Sequence, residues 1–363
     1  MDRDHSPALV DARRYAAIER RFAQLLDAAH LTLLQGEAMI SLEAAARSIG
    51  RPGSRTLNIV TGPYGQSFGH WLRQQGVRVE DLVVPFNRAV SVEEVGEALA
   101  DGDQFDVVSV VHAEAATGVV NDLEQIAALA RHAGALTVVD AVASVGAEPL
   151  EIEAWGLDVT VVSAQKALGG PAGVTGVVIS DAGWAAMAAN PTAPRDSVLS
   201  LLDWRERWLD TDRSALPAIP NHLETLALDA ALSHVADEGL ARVIGRHVAA
   251  RDASRRGVRA LGLAPWVGVD EEAAAVATTV AIPNGLSAQE LVAAAREAAE
   301  GGLAPVISVA PGPLSARALR IGHTGSRATP DDVLAAVAAL GLGLQSLGIA
   351  CDLGAASAAV LGE

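Results

Sequence analysis

One lysine, Lys166 in the stretch SAQKALGG, stands among 26 arginines. As surface cations the two residue types are interchangeable. As reagents they are not, because a guanidinium stays protonated and forms no Schiff base. A single lysine kept in an arginine-rich chain therefore marks either the chance survival of a surface residue or a place where amine chemistry is needed. Asp140 lies 26 residues earlier and closes the apolar run ALTVVDAVAS. An aspartate ending a buried strand is costly without a partner. A helix cap, an arginine or a heterocycle nitrogen would each serve. A lysine partly removed from water has a lowered pKa and acts as nucleophile or base. The glycines at 169, 170 and 173 let the backbone pass close to a bound group. An acid for a ring nitrogen together with a Schiff-base lysine is the pairing that pyridoxal chemistry requires.

Both residues need a scaffold that brings strand ends together. Residues 11–29 and 41–48 have apolar positions at helical spacing, the second beginning at Ser41. The runs 56–62, 106–114, 135–144, 157–166 and 174–180 read as buried strands, and 122–134 as an amphipathic helix closing at Gly134. Strands alternating with helices predict an α/β fold with a mostly parallel sheet. Ligands in such sheets sit outside the carboxyl ends of the strands. That rule places His112, Glu114, Asp140 and Lys166 on one rim. Residues 181–222, rich in Pro and Trp, read as a connection. A long helix from about Leu223 leads to a smaller unit with strands at 275–282, 305–309 and 318–322 and helices at 287–299 and 330–340. The expected division is an N-terminal helical segment (1–30), a large ring-binding domain (31–228), a small C-terminal α/β domain (229–345) and an Ala/Gly-rich tail (346–363).

Composition excludes some classes. The net charge is −17, which argues against nucleic acid or an anionic membrane surface as a partner. One cysteine, Cys351, excludes a disulfide framework and predicts a reducing compartment. The first residues, MDRDHSPALVDARR, lack the apolar run of a signal peptide, so the expected location is the cytoplasm. The apolar C-terminal stretch is interrupted by Gln345 and Asp352, so a packed helix is expected there and not a membrane span. The nine histidines and 44 acidic residues show no metal-ligand spacing, so no metal is expected. His222 and His323 read as structural.

The segments VVHAEAATGVVNDLEQIAALARHAGALTVVDAVASVG, WGLDVTVVSAQKALGGPAGV and LRIGHTG resemble the class V aminotransferases, a likeness running from about Leu33 to Gly325. The resemblance implies a fold-type I architecture, a large domain with a seven-stranded-type sheet and a smaller C-terminal domain, assembled as a homodimer. It implies a pyridoxal 5'-phosphate enzyme in which Lys166 is the Schiff-base lysine and proton shuttle. By the same resemblance Asp140 protonates the ring nitrogen, Tyr64 in GPYGQSFG stacks on the ring, Thr117 bonds the phenolic oxygen and Arg320 takes the substrate carboxylate. Guanidinium suits that last task because it is bidentate.

The departures from the family pattern are informative. Family members cradle the phosphate on backbone N–H groups at a helix start. Here that turn reads LLQGEAMISLEAAA, and Glu37 stands where a dianion should be welcome, followed by Ala38 and Met39. A carboxylate about 4 Å from each phosphate charge costs roughly 4 kcal/mol per pair at an effective dielectric near 20. Glu37 is otherwise an ordinary first-turn helix carboxylate. Two hydroxyl donors of the family pattern are replaced by Ala215 and Ala218, and a second arginine by Pro311, which leaves Arg317 as a helper for Arg320. Gln165, before the lysine, is the type that phosphate-using members carry. Glu37 and the two alanines predict a ring that enters without its phosphate, as pyridoxal in a substrate-derived Schiff base, whereas Gln165 stands with the phosphate-using members. Resemblance to a member of the family that uses the free ring implies the reaction pyridoxamine plus pyruvate giving pyridoxal plus L-alanine. The alternative is a phosphate-dependent alanine–glyoxylate or serine–glyoxylate aminotransferase.

Overall fold

The computed structural model describes residues 9–101, 104–299 and 306–363. Its centre is a seven-stranded sheet. The strands β1 (Leu31–Gln35), β2 (Arg55–Val60), β3 (Arg78–Val83) and β4 (Val107–Val111) come first. A short hairpin of β5 (Ala113–Glu114) and β6 (Val119–Val120) precedes β7 (Leu136–Asp140), β8 (Val159–Ser163) and β9 (Val174–Ile179). The spatial order is β1-β9-β8-β7-β4-β2-β3, with every strand running the same way except β9, which is antiparallel to both of its neighbours. The central runs VVSVV, VTVVS and VTGVVI are buried throughout, as β-branched strands covered on both faces must be. Strand β2 runs on to β3 on one side, and the later parallel strands lie on the other. The switch point therefore falls between the carboxyl ends of β2 and β4, where a crevice opens.

Three helices matter most for the site: α1 (Ala12–Leu25), α2 (Ala38–Ile49) and α3 (Pro63–Gln74). Helix α2 starts three residues before the expected Ser41. Glu37 caps it by accepting from the Met39 N–H, and Ser41 is buried inside the helix. The Trp-rich segment between β9 and residue 222 belongs to the core. Trp204 and Trp208 pack on Tyr15 of α1 with ring centres 5.8 and 5.6 Å away, and the Trp208 indole donates to buried Glu19 at 3.1 Å. The helix expected from Leu223 is two helices, His222–Glu238 and Leu240–Ala260, broken at Gly239. Gly239 has φ +89°, which ends a helix at no steric cost.

A second sheet holds β10 (Ala277–Ala281), β11 (Ile307–Val309) and β12 (Ala318–Gly322) in the order β10-β12-β11. The strand expected at 305–309 begins at 307, and residue 305 lies outside the described residues. Residues 1–8 of the expected N-terminal segment also lie outside them. The helix Leu353–Leu361 packs on Leu240–Ala260, where Arg256 donates to the Ala359 carbonyl at 2.9 Å. Among the described residues no helix is long and apolar enough to cross a membrane.

Candidate active site

Strands β7 and β8 run parallel with Asp140 paired to Val161, so both end on the same rim. The turn after β8 delivers Gln165 and Lys166 beside Asp140. A pocket of about 420 Å³, part of it open to solvent, lies there, lined by Glu37, Ala38, Met39, Tyr64, Asp140, Gln165 and Lys166, with Leu42, Ala113, Ala115, Val142 and Ala143 as apolar wall. The Lys166 amine stands 5.7 Å from the centre of the Tyr64 ring. Tyr64 is in the first turn of α3, which follows β2 directly.

Electrostatics follow from burial. Burial pushes the Lys166 amine below its usual value, while the charge of Asp140 pulls it back up. Burial raises Asp140 to about 6, against the hydrogen bond it accepts from the Val142 N–H at 3.0 Å and the charge of Lys166. Glu37 joins two elements. One oxygen accepts from the Met39 N–H at 2.8 Å, and the other accepts from the Gln165 amide at 2.7 Å. The carboxyl thus occupies the start of α2, where backbone N–H groups and the helix dipole favour an anion. The Gln165 carbonyl oxygen is buried without a partner.

Arg320 reaches the site from β12 and donates to the Ala115 carbonyl at 3.0 Å, while its Nε is buried without a partner. Arg317 is held elsewhere, its guanidinium 5.0 Å over the Trp266 ring. Thr117, expected to bond a ring oxygen, is not among the residues that line the pocket. It is fully buried, donates towards the Thr61 carbonyl at 3.3 Å and accepts from the Val119 N–H. Ala115, two residues earlier on the same hairpin, faces the pocket instead. His112 packs edge-on against Trp155 at 6.1 Å, and burial lowers it to about 4, so it is neutral. His222 accepts from the Val10 N–H at 3.0 Å, and His323 pairs with the Thr278 hydroxyl at the same distance, as structural histidines do. No cluster of three or more metal-ligating side chains occurs among the described residues.

Glu114 is the group whose place the sequence understates. It is fully buried, and burial followed by the charge of Asp140 lifts it from 4.5 to about 8. Glu148 and Asp140 are lifted by burial as well, to about 7 and about 6. Carboxyls raised in this way keep protons that the unfolded chain has lost. Their contribution is complete below about pH 4.5 and disappears as pH climbs towards 8. His112, His247 and His323 are each lowered to about 4 by burial, so their contribution is complete above about pH 6.5 and is lost on acidification. The ring-free protein is therefore most stable between these limbs. Its melting temperature should fall by roughly 5 °C from about pH 6.5 to about pH 9, and E114Q should lose about three quarters of that fall. Calorimetry across this range checks it, and equal slopes in the two proteins would refute it.

A family model described as aminotransferase class-V matches residues 5–299. The pyridoxamine–pyruvate transaminase of Mesorhizobium japonicum is 36% identical over 316 residues, covering 87% of this chain and 79% of that protein. The crystal structure of pyridoxamine–pyruvate aminotransferase from Mesorhizobium loti superposes with a TM-score of 0.91 at 33% identity, covering 97% of this chain and 89% of the other. The alanine–glyoxylate aminotransferase of Drosophila melanogaster is 28% identical over 327 residues, 88% of this chain and 81% of that protein.

Proposed function

This chain belongs to the class V aminotransferase family, and on that premise we propose that it moves an amino group from pyridoxamine to pyruvate, giving pyridoxal and L-alanine. It is a transaminase of fold type I. The observation that carries the choice of substrate is Glu37. Its carboxyl fills the helix start that would otherwise cradle a phosphate, held there by the Met39 N–H and the Gln165 amide. Two further features support it: the likeness to the Mesorhizobium enzymes, and alanines at 215 and 218 where the family resemblance puts hydroxyl donors.

The pocket suits a pyridoxal-type ring. It offers one amine, one carboxyl poised near neutrality, one aromatic face, and orphaned polar atoms on Arg320 and Gln165. When bound, such a ring supplies an electron sink for the carbon that loses a proton. The residues do the rest. Lys166 is the nucleophile towards the aldehyde carbon, and its amine takes and returns the proton. Asp140 holds the proton of the ring nitrogen. Tyr64 covers one face of the ring. Glu37 accepts from the O–H of the 5′-hydroxymethyl group, Gln165 holds that carboxylate in place, and Ala38 and Met39 form the adjoining wall. Arg320 binds the carboxylate of the 2-oxo acid through the edge its own carbonyl partner leaves free. Thr117 braces the hairpin that carries Ala115.

The same proposal takes the enzyme as a cytoplasmic homodimer acting on small molecules. Exposed Ile219 and Leu223 lie beside the hydrogen bond from the Asn221 N–H to Gln35 and give a second copy an apolar surface to cover. Titration of the ring-free protein with pyridoxal and with pyridoxal 5'-phosphate, followed in the visible spectrum, tests the substrate. Pyridoxal should bind about a hundredfold more tightly than its phosphate ester. Stoichiometric pyridoxal phosphate that survives dialysis would instead establish the alanine–glyoxylate or serine–glyoxylate type of reaction.

A further inference from the structure

Helix α3 is the second helix whose start meets the pocket. Its cap position is Gly62, which has no side chain to offer, and Pro63 follows. The N–H groups of Tyr64 and Gly65 are the ones a cap must satisfy. Glu114 supplies what Gly62 lacks. Its Oε2 accepts from the Tyr64 N–H at 3.2 Å across 50 residues of sequence, the Gly65 and Ala116 N–H groups are near enough to favour the charged form, and Oε1 is buried without a hydrogen-bond partner. The approach is close. A Cβ at residue 62 would lie 2.2 Å from Glu114 Cγ and 2.4 Å from its carboxyl carbon, so only glycine fits there. The backbone of Glu114 is fixed in turn, its carbonyl accepting from the N–H groups of Thr117 at 3.2 Å and Gly118 at 2.8 Å.

We propose that Glu114 is a positioning residue that caps α3 from the β5–β6 hairpin and so holds the Tyr64 ring over the Lys166 amine. Both helix starts at the pocket then carry a carboxyl from the chain itself, Glu37 on α2 and Glu114 on α3. A ligand finds neither free for an anionic group. This deepens the proposed use of an unphosphorylated ring and rests on it where ring binding is concerned. The acid raised to about 8 is mostly protonated near neutrality. The cap is then a hydrogen-bond acceptor and not a charge, and a glutamine can replace it.

The test compares E114A and E114Q with the parent enzyme by amide hydrogen exchange without ligand and by steady-state kinetics. E114A should lose protection at residues 64 and 65 while β4 and β7 keep theirs. It should raise KM for pyridoxamine about tenfold with a smaller change in kcat, the size expected of one helix cap. E114Q should stay within about twofold in both measurements. Wild-type protection in E114A, or equal damage in E114A and E114Q, overturns the proposal. If E114A does not fold, G62A replaces it, since its methyl group drives the carboxyl from the same two N–H groups. The exchange experiment needs no ring, so a parent protein that binds no form of pyridoxal would defeat the functional reading and leave the cap still decided.

Discussion

Replacing Lys166 with arginine lowers turnover by about five orders of magnitude while leaving the fold intact. The expectation follows from what the position holds and what arginine keeps. Burial lowers the pKa of the amine, against the charge of Asp140 and with that of Arg320. That shift raises the fraction of neutral amine at a given pH, and only neutral amine attacks a carbonyl carbon. Arginine preserves the positive charge beside Asp140 and Glu114, so the electrostatics of the empty pocket survive. It cannot lose its proton and cannot relay one. Both the nucleophile and the proton carrier disappear together, which corresponds to roughly 7 kcal/mol of barrier. Two measurements check this: kcat with pyridoxamine and pyruvate, and the visible absorbance change on adding pyridoxal. Both should vanish in K166R, while the circular dichroism spectrum and melting temperature stay close to the parent values. Turnover above about one hundredth of the parent would mean that another group does the chemistry.

The sequence displays some of this site openly. Asp140 and Lys166 are chemical types set at the ends of continuous apolar strands, and a parallel sheet brings such ends together whatever the details. Glu37 is legible as a departure, a carboxylate where a cradle for anions is expected. Its partner Gln165 is not, because a hydrogen bond across 128 residues depends on β9 lying between β1 and β8. Hydropathy identifies buried strands but carries no direction, so the reversed β9 cannot be told from its neighbours. Glu114 looks like any strand-end glutamate until α3 is seen to start without a side-chain cap. Thr117 illustrates the opposite case. A motif gives it a ring contact, but the tight turn after β5 directs its hydroxyl to backbone and Ala115 to the pocket. The tryptophans near residue 204 read as part of a connection and are core, because they pack on Tyr15 of α1. Gly239 splits an unbroken helical pattern, because apolar spacing continues through a glycine whose backbone leaves the helix.

Replacing Glu37 with glycine should raise affinity for pyridoxal 5'-phosphate about a hundredfold and lower affinity for pyridoxal about tenfold. The carboxylate takes up two donors, the Met39 N–H and the Gln165 amide, at the start of α2. A phosphate dianion brought there meets a like charge. At about 4 Å and an effective dielectric near 20, each charge pair costs roughly 4 kcal/mol, and half of that already exceeds a factor of ten in affinity. Glycine removes the repulsion and returns both donors and the helix dipole to the ligand. The helix itself loses little, because glycine is an acceptable cap and differs from the better ones by only a few tenths of a kcal/mol. The gain stops near a hundredfold because Ala215 and Ala218 still offer no hydroxyl. Pyridoxal suffers in the same variant, since its 5′-hydroxymethyl group loses an acceptor. E37Q separates the two effects. It keeps an oxygen for the hydroxymethyl group and removes the charge, so pyridoxal binding should stay near the parent value while the phosphate ester gains part of its hundredfold. Dissociation constants for both ligands in the three proteins decide the matter. An unchanged ratio between the ligands in E37G would show that the phosphate is excluded by something other than this carboxylate.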